Sequence, residues 1–98
     1  MVKVEWLEIA NDDLIQIYSY IYQNSIYYAV KTINDITDLT THLEISPYMG
    51  RKILEFNEEN SRELIYKSYR LMYSIEFNKI FIRRIWHSAR MLPQKLIS

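Results

Sequence analysis

Ninety-eight residues and 11.9 kDa provide one hydrophobic core and exclude two, since a chain of this size buries about 60–65% of its unfolded surface without metals or staples. With 49% hydrophobic and 24% charged residues the chain is neither a disordered tail nor a linker, and the absence of cysteine excludes disulfides, Cys-ligated zinc and a cysteine nucleophile. The net charge of zero excludes a uniformly basic protein but hides an asymmetry: residues 1–50 sum to −5 and residues 51–98 to +5.

Val2, Val4 and Trp6 alternate with Lys3 and Glu5, a period-2 pattern that predicts a short amphipathic strand. The period then changes. Asn11 is placed to cap a helix with Asp12 and Asp13 in its first turn, and Ala10, Leu14, Ile17, Tyr18 and Ile21 follow at helical spacing to an end near Asn24. Ser25 is the predicted cap of a second helix of about five turns, whose apolar stripe runs through Ile26, Ala29, Val30, Ile33, Ile36, Leu39 and Leu43. So short a connection makes the helices an antiparallel hairpin, able to cover one face of a sheet.

Residues 46–50 hold one of the two prolines and the single glycine, which makes them the strongest break in the chain. Strands are expected beyond it: a short one at 52–56, then 62–67, 69–77 and 80–87, with a polar turn at 57–61 and a turn at Asn78-Lys79. In 69–77, Leu71, Tyr73, Ile75 and Phe77 alternate with Arg70, Met72, Ser74 and Glu76, the pattern of a half-buried antiparallel strand. In 80–87, parity sets Arg84 beside Ile80, Ile82 and Trp86. That would bury a charge unless a bulge near Arg83-Arg84 shifts the phase, and the bulge is the expectation. Residues 88–98, with Pro93, are expected to form a short helical turn at most. The result is one α+β domain over 1–98, ordered βααβββ, with a helix hairpin on one face of a small twisted antiparallel sheet.

The longest unbroken apolar run, residues 26–30, falls far short of the roughly 18 residues that cross a bilayer, and no signal-peptide core follows Met1. A cytoplasmic chain is expected. Gly-rich phosphate loops, nucleophile elbows and metal-ligand spacings do not occur, so neither a metal nor a cofactor is expected.

Basic and aromatic residues interleave in the last three strands: Arg62, Tyr66, Lys67, Tyr69, Arg70, Tyr73, Arg83, Arg84, Trp86, His87 and Arg90. Guanidinium forks suit phosphates and aromatic faces suit unstacked bases, while packing across strand pairs is the alternative reason for tyrosines and tryptophan there. His87 among Arg83, Arg84 and Arg90 has the elements of metal-free RNA cleavage, a titrating imidazole beside charge stabilisers; a hydrogen-bonded structural histidine is the alternative. Glu63 is a candidate base within a glutamate cluster otherwise expected to be a solvated turn. All of these readings need the C-terminal cations to face outward on one side of the fold.

Val4-Glu5-Trp6, Asp13-Leu14, Pro47-x-Met49-Gly50-Arg51, Arg62-Glu63-Leu64, Tyr69-Arg70-x-x-Tyr73-x-Ile75 and Ile80-x-Ile82 leading to His87-x-x-Arg90 occur in this order across nearly the whole chain. Together they resemble the RelE/ParE toxins of type II toxin–antitoxin systems. The resemblance implies the βααβββ fold and a growth-arresting toxin held inactive by a cognate antitoxin, as a hetero-oligomer, with a toxin homodimer also open. The RelE-like branch cuts mRNA in the ribosome, and by position its residues here would be His87, Arg62 and Arg83. The ParE-like branch poisons DNA gyrase, and target or phosphate contacts would fall to Arg51, Arg70, Arg84, Arg90, Tyr69 and Tyr73. Ser88-Ala89 after His87 and the neutral total depart from the nucleases, while Met49-Gly50-Arg51 and Arg62-Glu63-Leu64 are more ParE-like. A ParE-like gyrase inhibitor is therefore the leading implication. The ribosome-dependent endoribonuclease, the only enzyme among the readings, and a non-toxic interaction module are the alternatives.

Overall fold

The computed structural model describes residues 1–87, so the tail expected at 88–98, with Arg90, lies outside the described residues. Strand β1 (Lys3–Trp6) leads into helices α1 (Glu8–Tyr22) and α2 (Ile26–Leu43), followed by β2 (Arg51–Lys52), β3 (Ser61–Tyr66), β4 (Tyr69–Glu76) and β5 (Lys79–His87). The five strands form one sheet in the order β1-β5-β4-β3-β2. The last four are antiparallel to their neighbours, and β1 adds parallel to β5, so the sheet is mixed.

Ser25 caps α2 as expected, its hydroxyl accepting from the Tyr28 N–H at 3.1 Å. The cap expected at Asn11 is not used. Helix α1 starts at Glu8 after Leu7, with no side-chain cap. The reason is tertiary: the Leu7 N–H donates to Ile82 O at 3.0 Å, which ends β1 and starts the helix early enough to bury Ala10.

Ala10 and Ile17 of α1 and Ile36 and Leu43 of α2 pack on Leu71, Tyr73, Ile75, Ile80, Ile82 and Ile85. The α2 stripe is narrower than its sequence pattern: Ile26 and Val30 are exposed, and Thr32 and Thr40 take buried places. The expected half-burial of β4 is also corrected. Arg70, Met72 and Ser74 are buried as well as Leu71, Tyr73 and Ile75, because the chain just past β2 folds over the sheet face away from the helices, burying Ile53.

The expected bulge is present. Met72 pairs with Arg84 but Tyr73 with Ile82, so Arg83 is the extra residue, and Ile85 rather than Arg84 enters the core. The β4–β5 turn is Phe77-Asn78 rather than Asn78-Lys79, both at positive φ (50° and 62°), with Lys79 already paired to Glu76. Strand β2 is two residues, shorter than the expected 52–56. Among the described residues no helix is long and apolar enough to cross a membrane.

Candidate functional site

Strand β1 ends at Trp6, paired with Ile82, while β5 runs on to His87 and would leave its outer edge open. Helix α1 closes part of that edge. Asp13 Oδ2 accepts the Ile85 N–H at 3.0 Å and the Arg84 Nε–H at 2.8 Å, and Oδ1 accepts from Arg84 Nη2 at 3.1 Å. One carboxylate thus replaces a strand partner and neutralises a guanidinium. Beyond this clasp an open groove of about 830 Å³ runs between α1 and the end of β5, with Ile9, Ile17 and Tyr20 as apolar lining and Asp12, Asp13 and Gln16 as polar lining.

The opposite wall collects four residues singled out from the sequence: Tyr69, Arg84, Trp86 and His87. Tyr69 pairs with His87 across β4 and β5, their rings meeting edge to face with centroids 5.5 Å apart. The Arg84 guanidinium lies over the Trp86 ring at 5.1 Å. Asp13 was legible only as a helix first-turn acid, since its role depends on where β1 stops.

The other basic candidates lie elsewhere, and the expected single outward-facing basic side is overturned. Arg70 is buried in β4, its Nε–H donating to Glu63 Oε1 at 2.6 Å and its two Nη groups to the Glu55 carboxylate at 2.9 Å each. Arg51 donates to the second oxygen of Glu63 at 2.8 Å. Arg62 is held by the Glu59 carboxylate and carbonyl and by Gly50 O. Arg83 is exposed, with Glu76 at 3.7 Å and the Ser74 hydroxyl at 3.5 Å.

Glu63, expected in a solvated turn, is 1% exposed and bridges two arginines. The Arg70 hydrogen bonds pull the Glu55 carboxyl down to about 2, and the two carboxylates raise Arg70 further above its ordinary value.

Tyr73 is 1% exposed. Its hydroxyl donates to Pro47 O at 2.7 Å and accepts the Gly50 N–H at 3.0 Å, and burial pushes its pKa up. A Cβ on Gly50 would stand 2.6 Å from both Glu63 O and Tyr73 Oη, so the one glycine is where the loop of residues 46–50 meets the sheet with no space for a side chain. Tyr73 and Arg70 therefore direct their polar ends into the protein rather than toward a ligand.

Among the described residues the groove offers a histidine at its end but no guanidinium beside it that is not already paired to a carboxylate, and Asp12 on its α1 wall repels a phosphodiester. Its apolar lining and interrupted strand edge suit an apolar peptide segment, extended or helical. Among the described residues no three His, Asp or Glu side chains converge as a metal site.

A family model described as the ParE toxin of the type II toxin–antitoxin system, parDE, matches residues 4–92. Among solved structures, a chain of the chromosomal ParDE TA system from P. aeruginosa is similar in fold, with a TM-score of 0.72 and 21% identity, covering 89% of this chain and 96% of that one. No curated protein sequence matches.

Proposed function

The chain belongs to the ParE toxin family of type II toxin–antitoxin systems, and from that membership we propose that it arrests growth by inhibiting DNA gyrase and is neutralised by a cognate antitoxin. The observation that carries the choice of target over RNA cleavage is the commitment of the arginines. Arg62, Arg70 and Arg84 are each bound to carboxylates. Arg83 is turned toward Glu76 and the Ser74 hydroxyl, and among the described residues no guanidinium free of a carboxylate lines the groove with His87. A catalyst of phosphodiester cleavage needs a charge stabiliser within hydrogen-bond reach of the reacting group.

Neutralisation is assigned to the α1 side. The groove accepts a peptide segment, and beside it the helix hairpin exposes Tyr20, Tyr22, Ile26, Tyr27 and Tyr28, an aromatic surface that a folding-on-binding segment can cover. The test is a supercoiling assay with purified chain and purified gyrase, run beside an in vitro translation assay. Blocked supercoiling, relieved by antitoxin, with intact translation is expected. Unimpaired gyrase at micromolar protein together with cleaved mRNA would overturn the reading.

A further inference from the structure

The β4–β5 turn carries a cost that the fold itself does not explain. Glu76 pairs with Lys79, which leaves Phe77 and Asn78 as a two-residue loop with both residues at positive φ. Such turns favour Asn or Gly first, and Asn78 fits its place. Phe77 does not: its Cβ crowds the backbone at φ 50°, and the residue is 98% exposed, so no packing offsets the strain. Next to it Lys79 lies directly opposite Lys3 in the parallel β1–β5 pair, like charges at strand spacing. Among the described residues neither lysine has an ion-pair partner, Glu76 being engaged by Arg83. The tip thus displays one bare aromatic side chain beside two lysines that have no ion-pair partner among the described residues.

We propose that this tip is the docking point for the toxin's target protein, with Phe77 entering an apolar pocket and Lys3 and Lys79 meeting carboxylates at its rim. The inference rests on the chain being a growth-arresting toxin but not on gyrase being the target. A convex tip fits a preformed concavity, which a folded protein supplies. A disordered antitoxin segment instead needs a groove or a free strand edge, and at the tip β5 is paired on both sides. Nucleic acid fits less well, because Glu76 precedes the ring and the neighbouring Arg83 is paired to it.

The test compares the full-length wild type with Phe77→Asn and Lys3→Glu. Phe77→Asn suits the turn and should raise the melting temperature by roughly 2–5 °C. It should also raise the toxin level needed for growth arrest about 10- to 100-fold, the effect of losing one buried aromatic anchor, with antitoxin affinity unchanged. Lys3→Glu turns a repulsive pair into an attractive one, so it should leave the fold intact while weakening arrest about fivefold or more, less so at high salt. A more stable but weakened toxin supports the proposal. Arrest by Phe77→Asn at wild-type levels, a lowered melting temperature, lost antitoxin affinity, or wild-type binding to duplex DNA that the variants lose would each overturn it. Wild-type chain that does not arrest growth overturns the toxin reading and the docking point with it, whereas arrest without gyrase inhibition overturns only the choice of target.

Discussion

Glu63 Oε1 and Arg70 Nε are 2.6 Å apart on neighbouring strands, with side chains only 1% and 10% exposed. The pair is buried because the chain past β2 folds back over the outer sheet face and brings Glu55 to the far side of the same guanidinium. Removing Arg70 leaves the buried Glu63 with Arg51 alone and strips Glu55 of its partner, so two carboxylates lose compensation at once. Arg70→Ala should therefore cost about 3–5 kcal/mol in urea denaturation. Replacing both Glu63 and Arg70 by apolar residues of similar volume should cost less than Arg70→Ala alone, since no buried charge is left unpaired.

Tyr73 and Gly50 make a second buried joint, where one hydroxyl serves two backbone groups. Tyr73→Phe keeps the ring but orphans the Gly50 N–H and Pro47 C=O, at about 1–3 kcal/mol for each group that water cannot reach. Gly50→Ala meets the Glu63 carbonyl oxygen and the Tyr73 hydroxyl, each 2.6 Å from the new carbon, and one of these is backbone that cannot swing aside. Both variants should lower the denaturation midpoint, and Gly50→Ala should also raise amide exchange in residues 46–52.

Much of the fold was legible because local signals agreed with it. Ser25 caps, the helical periods give two helices, and the misplaced parity of Arg84 announces the bulge. What failed depended on distant partners. Asn11 offers a cap, but Leu7 is fixed by Ile82 and the helix starts before it. Phe77 reads as strand and Asn78-Lys79 as the turn, yet the Glu76–Lys79 pairing sets the loop one residue earlier. The basic residues misled most. Arginines in an alternating strand read as a solvent face, and nothing local reveals that Glu55 and Glu63 come from elsewhere to cover Arg70, or that Asp13 reaches Arg84.

The acid and alkaline limbs of stability follow from opposite shifts. Glu55 titrates at about 2 in the fold against an ordinary 4.5, so its contribution is complete above pH 4.5 and is lost as the pH falls toward 2. Asp35, lowered chiefly by the hydrogen bond from Tyr66, adds to the same limb. Tyr66 and Tyr73 are raised above 10, chiefly by burial, so their neutral forms support the fold up to pH 10 and that support fades as the pH rises through their folded values. Melting temperatures should fall on both sides of a plateau between about pH 5 and 9, and Glu55→Gln should flatten the acid limb.

His87 provides a direct test of chemistry against binding. It ends β5 beside Tyr69, and Arg83 is directed away from it toward Glu76. If the toxin works by binding gyrase, His87→Ala and Arg83→Ala should each change the inducer level needed for growth arrest by less than about threefold, and purified variants should still block supercoiling. An RNA-cleaving mechanism predicts a loss of about 100-fold or more from removing a general acid or base. Growth curves with parallel RNA profiles separate these outcomes.

Asp13 couples the stability of the fold to the shape of the groove. Its two oxygens hold Arg84 and the Ile85 N–H, and both ion-pair partners are largely shielded, with side chains 11% and 21% exposed. Asp13→Asn retains one acceptor oxygen and should keep the backbone bond while weakening the grip on Arg84, at about 1 kcal/mol. Asp13→Ala loses both, leaves the β5 edge unsatisfied and releases a guanidinium into the groove, for about 2–4 kcal/mol. If an antitoxin segment occupies the groove, the change in charge there should alter antitoxin affinity at least tenfold in Asp13→Ala, measured by calorimetry below the variant's melting temperature. Unchanged affinity in both variants would move the antitoxin contact away from this end of α1 and onto the exposed tyrosines of the helix hairpin.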